Sequence, residues 1–363
     1  MKKVVITGGH LTPALALIEE VRRENWEAYY FGIRYPLENI KKESFEYHLI
    51  NQRKDISFVN ITTGRLQRRF TKRTIVSLLK IPWGIFQSFY WLMRIKPKLI
   101  ISFGGYLSTP VVISGWLLGI PSISHEQTTS LGLANKINAL FSKKVALSFP
   151  STLESVKKSK RVLTGNPIDS QVLQGEAKKS ILKKYLEKNK KPLLFIHGGK
   201  TGSQIINRNI KKSLKELKNT FRIVHQFGLD PNYEEKKGKD YLAVQFIDNK
   251  EFGWLLKKSD LVVTRSGANI VTYLAVTKTK AVLIPIPWSS GNEQKKNALF
   301  LEEIGLGRII EQKNLTPKKL VKTIRQFHKA KIRLNYPNWF KENPPEQAAK
   351  KIWKLAKECL NDA

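Results

Sequence analysis

The 363-residue sequence contains little cysteine and no long uninterrupted apolar run. Its single cysteine, Cys359, excludes an internal disulfide framework and a zinc cluster built from cysteines, and it fits a reducing cytoplasm. Lys2 and Lys3 lead into a short apolar strand and not into a long apolar segment with a small-residue cleavage site, so we expect no signal peptide. We therefore expect the protein to stay in the cytosol.

Acidic residues are also scarce, with 29 Asp and Glu against 64 Lys and Arg, which gives a formal net charge of +35. Such an excess attracts polyanions, and nucleic acid, an anionic membrane and a phosphorylated substrate all qualify. No nucleic-acid-binding motif accompanies the charge, so we expect no specific nucleic-acid partner. The sequence contains no clustered Asp or Cys set of the kind that holds a metal. We expect no cofactor.

Strand-like apolar runs alternate with helical periodicity along the whole chain. In the first half they are Val4–Thr7, Glu27–Phe31, Leu99–Ser102, Ser122–His125 and Lys144–Ser148. In the second half they are Pro192–His197, Arg222–Gln226, Leu242–Phe246, Leu261–Thr264 and Ala281–Ile286. This alternation predicts an α/β protein with two doubly wound parallel-sheet domains in tandem. We expect these domains over residues 1–165 and 166–340, and a terminal helix over 341–363 that crosses back to the first domain.

The stretch ITGGHLTPALAL places Gly8, Gly9 and His10 between the first strand and the first helix. Thr12 is predicted as the helix N-cap and Pro13 as its first residue. Open α/β sheets bind ligands where a parallel strand leads into a helix, because the helix N-terminus offers unpaired N–H groups to an anion. A simple tight turn with a structural histidine would explain the same residues.

Two more loops of the first half follow strands in the same way. They carry Gly104, Gly105 and Tyr106, and then His125, Glu126, Gln127 and Thr128. Three polar loops at one sheet edge are harder to explain by packing than any single one. In the second half, the loops 198–203 and 265–268 stand at neighbouring strand ends, where backbone N–H groups can hold a diphosphate.

The segment from Arg65 to Lys98 begins with a basic cluster and continues as an aromatic stripe. Lys80, Pro82 and Gln87 interrupt the apolar part, which is too short for a transmembrane helix. We predict peripheral contact with an anionic membrane surface, unless the aromatic residues only pack a helix onto the sheet. The residues concerned are Arg68, Arg69, Lys72, Arg73, Trp83, Phe86 and Trp91.

Taken in order and spacing, these motifs closely resemble the MurG family over nearly the whole chain. The resemblance is carried by Gly8-Gly9-His10 with Pro13-Ala14-Leu15, Phe103-Gly104-Gly105-Tyr106, His125-Glu126-Gln127, Gly132 to Lys136, Thr164-Gly165-Asn166-Pro167, Gly198-Gly199, Phe246-Ile247-Asp248, Arg265-Ser266-Gly267-Ala268, and Gln294 with Asn297-Ala298. It implies a GT-B fold, in which two Rossmann-like domains face a cleft.

The resemblance also implies an activity: inverting transfer of N-acetylglucosamine from UDP-N-acetylglucosamine to the polyprenyl-diphosphate-linked muramyl peptide, lipid I, at the inner membrane, without a metal. His10 is then the catalytic base. The acceptor-binding residues implied are Gly8, Gly9, Gly104, Gly105, Tyr106, His125, Glu126, Gln127 and Thr128. The donor-binding residues implied are Asn166, Gly199, Lys200, Thr201, Ile247, Arg265, Ser266, Gly267, Ala268, Tyr273, Glu293 and Gln294.

The sequence departs from the family pattern at both substrates. The glycine loop before His10 is short, and Thr128 stands in place of the usual Asn. On the donor side, Tyr273 replaces the Glu that binds the ribose, Lys200 replaces a Ser, and Asp169 replaces an Arg. The alternative functions are therefore a transferase that uses another nucleotide sugar or another lipid acceptor, a UDP-sugar epimerase, and a non-catalytic basic binding protein.

Overall fold

The computed structural model describes residues 1–35, 43–64, 72–175, 181–187, 190–199 and 201–361. The chain divides into two compact units. Unit 1 contains Met1–Pro167 and Glu342–Ala363, and unit 2 contains Ile168–Lys341.

Unit 1 is built on a seven-stranded sheet in which every neighbouring pair is parallel. Its elements are β1 Lys3–Thr7, α1 Leu11–Arg23, β2 Glu27–Gly32, α2 Phe45–Asn51, β3 Ile56–Asn60, α3 Lys72–Ile95, β4 Leu99–Ser102, α4 Ser108–Leu117, β5 Ser122–Glu126, α5 Leu133–Phe141, β6 Lys144–Leu147 and β7 Arg161–Leu163. The strand order is β3-β2-β1-β4-β5-β6-β7. The first strand therefore lies inside the sheet, between β2 and β4, which explains its uninterrupted apolar sequence.

Strand β1 supplies side chains to both faces of this sheet. Val4 and Ile6 join the core that includes Leu17 of α1, whereas Val5 joins the opposite core with Leu92 of α3. Side chains alternate between the faces of a strand, so one short strand anchors both helical layers.

Unit 2 contains a second seven-stranded sheet, in the order β10-β11-β9-β8-β12-β13-β14. Its elements are α6 Ser170–Leu173, α7 Ile181–Glu187, β8 Leu193–His197, α8 Gln204–Leu217, β9 Arg222–Gln226, β10 Lys236–Lys237, β11 Tyr241–Val244, α9 Asn249–Lys258, β12 Leu261–Thr264, α10 Ala268–Thr277, β13 Ala281–Leu283, α11 Glu293–Glu303, β14 Gly307–Ile309 and α12 Pro317–Lys329; α13 Asn338–Glu342 follows. Every pair is parallel except β10 with β11.

The last helix, α14 Pro345–Asn361, belongs to unit 1 although it follows unit 2 in the chain. It packs against α1, and the indole of Trp353 meets that of Trp26 edge to face at 5.1 Å between centroids. Trp353 is among the largest fully enclosed side chains. The aromatic pair gives the returning segment a fixed position on this unit.

The predicted α/β class with two parallel-sheet domains is confirmed, and all ten predicted strands exist. The sequence interpretation missed β3, β7, β10 and β14, the outermost strands of the two sheets. These strands have two to five residues and lack a continuous apolar run. The predicted start of α1 was wrong, because the helix begins at Leu11 and its N-cap is His10.

Helix α3 contains the predicted aromatic stripe and carries Pro82 in its interior. In the described part of the chain, no helix has the length and apolarity needed to cross a membrane.

Candidate active site

Three loops meet at the carboxyl edge of the unit 1 sheet, because they follow the adjacent strands β1, β4 and β5. They carry the predicted groups Gly8 to His10, Gly104 to Tyr106, and His125 to Thr128. The backbone N–H of Gly9 donates to the carbonyl of Gly104 at 2.9 Å, which ties the first two loops together.

Glycine is required where these two loops touch. Gly8 has φ of +136°, and a Cβ there would stand 2.8 Å from the Gly104 carbonyl oxygen. Gly104 has φ of +69°, and its Cβ would stand 2.7 Å from the side-chain nitrogen of Asn135. A side chain at either position would separate the loops or strain the backbone.

His10 lies half-buried at the start of α1, beside the third loop. The amide nitrogen Nε2 of Gln127 is 2.7 Å from its Nδ1. Burial lowers the pKa of His10 below its usual value, and the nearby Glu126 carboxylate raises it by a smaller amount. The ring is therefore neutral at pH 7, which is the form that a general base requires.

Glu126 organises the third loop from inside the protein. Its Oε1 accepts hydrogen bonds from the backbone N–H and the hydroxyl of Thr128, at 3.0 and 2.8 Å. Its Oε2 accepts from the N–H of Gly132 and from the Asn135 side chain, at 3.0 and 2.9 Å. With four donors on one buried carboxylate, Glu126 and Thr128 hold the loop in shape, and their predicted contact with an acceptor stays a prediction.

His125 points into the interior of unit 1. Its Nε2 lies 3.0 Å from the hydroxyl of Ser148 and 3.4 Å from the carbonyl of Gly165. Burial lowers its pKa to about 3, so the ring stays neutral. Its contacts support the loop from beneath, while Tyr106 is half-buried at the sheet edge.

In unit 2, the described residues of the loop after β8 include three glycines and lead into α8. Gly199 and Gly202 adopt positive φ, and Ser203 is the N-cap of α8. A Cβ on Gly202 would stand 2.0 Å from the carbonyl oxygen of Phe227, so this loop presses directly on the loop after β9. Thr201 is exposed, Gly199 is half-buried, and Lys200 lies outside the described residues.

Arg265 is buried and connects three segments of this edge. Its Nη2 donates to the hydroxyl of Ser203 at 2.9 Å and its Nη1 donates to the carbonyl of Ile284 at 3.0 Å. Burial lowers its pKa to about 10. The charge is thus held directly beneath the glycine loop, where it favours an anion.

Gln294 joins the loop after β12 to the loop after β13. Its Oε1 accepts from the N–H groups of Ser266 and Ile286, at 3.4 and 3.1 Å, and its carbonyl accepts from the Ser266 hydroxyl at 2.8 Å. Gly267 is the N-cap of α10 and Ala268 its first residue, while Glu293 begins α11. These predicted donor residues are brought together in one unit.

Tyr273 is 5% exposed, on the inner side of α10. Its hydroxyl accepts from the backbone N–H of Asp169 at 3.3 Å. Two of the positions that depart from the family pattern, 169 and 273, therefore meet inside unit 2. Contact between Tyr273 and a donor stays a prediction, and a Glu in its place would stand beside the Asp169 carboxylate.

Two other predicted donor residues lie elsewhere. Ile247 is buried after β11, next to the half-exposed ring of Phe246. Asn166 is buried and belongs to unit 1, whereas all the other predicted donor residues belong to unit 2.

Sequence reasoning missed the buried polar residues beneath the glycine loop. Nδ1 of His197 accepts from the Gly199 N–H at 3.2 Å, and its Nε2 lies 3.0 Å from the Thr264 hydroxyl. His225 is hydrogen-bonded to Tyr241 and Asn207, at 2.9 and 3.0 Å. A histidine within a predicted strand was the available signal for both. Among the described residues, no three His, Cys, Asp or Glu side chains form a group suited to a metal.

The chain belongs to glycosyltransferase family 28. The model of the family's N-terminal domain matches residues 5–147, and that of its C-terminal domain matches residues 193–355. The predicted resemblance to the MurG family is thereby confirmed at the level of the family.

Relatives of the same length carry one name. Proteins of Clostridium botulinum (strain Loch Maree / Type A3) and Clostridium kluyveri are 34% and 32% identical, over 99% and 98% of this chain and 99% of theirs. Both are named UDP-N-acetylglucosamine--N-acetylmuramyl-(pentapeptide) pyrophosphoryl-undecaprenol N-acetylglucosamine transferase.

Solved structures share the fold. Acinetobacter baumannii MurG aligns with a TM-score of 0.67 at 22% identity, covering 99% of this chain and all of that one. A putative UDP-N-acetylglucosamine 2-epimerase from Listeria monocytogenes also aligns with a TM-score of 0.67, at 12% identity, covering 100% of this chain and 98% of that one. At these identities the comparison establishes the architecture alone.

We predict that Tyr273→Glu destabilises the protein by about 3 kcal/mol or more, because it places a second carboxylate in a buried site beside Asp169. The matched variant Tyr273→Phe keeps the ring, loses one hydrogen bond and should cost only about 1 kcal/mol. Urea unfolding at pH 7 measures both. Equal urea midpoints for Tyr273→Glu and the parent chain would contradict the prediction, because they would indicate that residue 273 is exposed to solvent.

We predict that acid weakens unit 2 through its buried histidines. Burial lowers the pKa of His197 and of His225 to about 3. Between pH 6.5 and pH 3 each of these histidines is protonated in the unfolded chain but not in the folded chain. Each therefore lowers the free energy of unfolding by about 1.4 kcal/mol per pH unit as the pH falls.

Urea unfolding of the parent and of His225→Phe at pH 7, 6 and 5 tests this expectation. The variant should be less stable at pH 7 but should lose less stability on acidification. His48→Asn is the control, because that side chain is 58% exposed. Parallel pH curves for the parent and His225→Phe would contradict the prediction.

Proposed function

We propose that this chain transfers N-acetylglucosamine from UDP-N-acetylglucosamine to the muramyl 4-hydroxyl of lipid I, which yields lipid II for peptidoglycan synthesis. The observation that carries the proposal is His10, a neutral imidazole at the edge where three polar loops of unit 1 meet. The names of full-length relatives and membership of glycosyltransferase family 28 support the same substrates.

The reaction is a single displacement at the anomeric carbon. Nε2 of His10 takes the proton of the acceptor hydroxyl as its oxygen forms the new glycosidic bond, and UDP leaves with the electrons of the broken bond. The loop 198–203, Arg265 beneath it and the N-terminus of α10 supply backbone N–H groups and positive charge for the leaving diphosphate. We propose that no metal takes part.

A UDP-sugar epimerase is the second candidate, and the fold that this chain shares with a putative 2-epimerase favours it. The two activities differ in their need for an acceptor. Purified protein is therefore incubated with labelled UDP-N-acetylglucosamine, with and without a lipid I analogue. A labelled disaccharide lipid formed only with the analogue supports the transferase, whereas an epimerised nucleotide sugar formed without it supports the epimerase.

We also propose that α3 attaches the protein to the cytoplasmic surface of the membrane. Trp83 and Phe86 are 52% and 62% exposed and stack at 5.7 Å. Trp116 and Leu117 of α4, the helix that packs against α3, are exposed as well. Exposed aromatic residues of this kind suit the headgroup region of a bilayer.

The remaining predicted membrane residues contribute in different ways or are not described. Trp91 packs partly against the core of unit 1. Arg68 and Arg69 lie outside the described residues, and the side chains of Lys72 and Arg73, at the start of α3, are not described either.

We predict that His10→Ala lowers kcat by roughly 100-fold, the usual contribution of a general base. The Kd for UDP should stay within about twofold of the parent value, because the donor loops belong to unit 2. Steady-state kinetics and calorimetry measure the two quantities, with His48→Ala on α2 as the control. Loss of UDP binding in His10→Ala would contradict the prediction and would indicate that His10 has a structural role.

We predict that Trp83→Ser combined with Phe86→Ser weakens binding to vesicles of anionic phospholipid by roughly tenfold or more, since two aromatic side chains leave the interface. Flotation at low and moderate salt measures the effect. Ile181→Ser with Leu334→Ser removes two exposed apolar side chains from unit 2 and should change nothing. Equal flotation of both double variants would show that α3 does not contact the membrane.

A further inference from the structure

The amide of Gln127 is the immediate neighbour of the His10 ring. Its Nε2 lies 2.7 Å from Nδ1 of His10, while its Oε1 is buried without a hydrogen-bond partner. The side chain is 7% exposed and thus almost wholly enclosed. A buried amide oxygen without a partner is costly, so its presence beside the candidate base calls for an explanation.

The direction of this hydrogen bond determines which nitrogen of His10 carries the proton. An amide N–H donates to Nδ1 only when Nδ1 has a free lone pair, and the neutral ring then carries its proton on Nε2. Because Nδ1 is engaged with Gln127, Nε2 is the nitrogen left for a substrate. In this tautomer Nε2 already holds a proton and is unable to accept another from a hydroxyl.

We propose that Gln127 is a positioning residue that controls the tautomer of His10. A half-turn of its amide about Cγ–Cδ presents Oε1 to Nδ1, which then donates its own N–H, and Nε2 is free to accept the hydroxyl proton. The inference rests on the proposed role of His10 as the base. The arrangement in the structure is the resting tautomer, and the turned amide is the active one.

The surroundings allow this turn at little cost. The two amide orientations fill the same space, and Oε1 has no partner to lose on turning. The backbone of the loop stays in place because Glu126 holds it through Thr128, Gly132 and Asn135. Since each orientation leaves one amide atom unpaired, the two states are close in energy, and a bound acceptor that needs the free Nε2 selects the active one.

Two ionisable groups of β5 lie near enough to the His10 ring to interact with it electrostatically. The Glu126 carboxylate raises the pKa of His10 but is engaged by its four donors. His125 is a buried neutral ring turned toward Ser148. Helix α1 carries no acidic residue in its first turn. Among the described residues, the side-chain amide of Gln127 is the group shown in hydrogen-bond contact with the ring, and we assign the control of the tautomer to it.

Nitrogen NMR of the histidine rings tests the proposal without any substrate. In ¹⁵N-labelled, deuterated protein, the two ring nitrogens of each neutral tautomer have distinct shifts, and His10→Gln identifies the His10 signals. The parent should show the Nε2–H tautomer. Gln127→Glu offers only acceptor oxygens, so it should convert His10 to the Nδ1–H tautomer and raise its pKa by about one unit or more.

Two further variants keep the test decisive. Gln127→Leu removes the hydrogen-bond partner of Nδ1 and should give a mixture of both His10 tautomers. This variant tests the proposal even if Gln127→Glu does not fold. Thr129→Val alters another buried polar side chain of the same loop and should leave the His10 signals unchanged. A folded Gln127→Glu or Gln127→Leu with the tautomer and pKa of the parent would overturn the proposal.

Kinetics link the tautomer to catalysis. In Gln127→Glu the acid limb of the kcat/KM profile should move upward with the pKa of His10. Gln127→Leu should lower kcat by about tenfold or more and leave KM for UDP-N-acetylglucosamine within about twofold. If the NMR signals behave as expected but no variant or parent transfers N-acetylglucosamine, the proposed function fails while the control of the tautomer stands.

Discussion

The close approach of two backbone segments, at Gly8 and Gly104, is the constraint on which the unit 1 site depends. The loops after β1 and β4 touch there without a side chain between them, and the N–H of Gly9 is hydrogen-bonded to the Gly104 carbonyl. This contact is possible only because β1 and β4 are adjacent in the sheet. It also explains how a shortened glycine loop still presents His10, since the helix N-cap is His10 itself and no further residue intervenes.

The site in each unit is supported from beneath by buried polar groups. Glu126 does this in unit 1 with four neutral donors, and in unit 2 His197 and Arg265 hold the glycine loop through Gly199 and Ser203. Burying such groups costs free energy, and they occur here where a loop has to keep one conformation. The same low polarity that lowers the pKa of His10 keeps it in the neutral form.

The sequence was sufficient for the architecture, because buried parallel strands such as Leu99–Ser102 and Leu261–Thr264 read as continuous apolar runs with the observed bounds. The sequence also predicted that the loops of each unit lie at one edge of its sheet, because this placement follows from parallel topology. It was insufficient for the roles of individual side chains. Glu126, His125 and Tyr273 all stand in the predicted motifs, yet whether each faces the sheet edge or the interior depends on partners distant in sequence, such as Asn135, Gly165 and Asp169.

The pair Tyr273 and Asp169 shows why substitutions in a motif have to be considered together. Taken alone, a phenol in place of a carboxylate on α10 suggests a weakened ribose site. The structure places the phenol inside unit 2, with its hydroxyl against the backbone of Asp169, and the carboxylate of Asp169 accepts from the side chain of Asn249 at 3.3 Å. An acidic group is thus present next to α10, contributed by residue 169 instead of residue 273. Two carboxylates in this enclosed space would repel each other, so Asp169 is compatible with the phenol and not with a second acid.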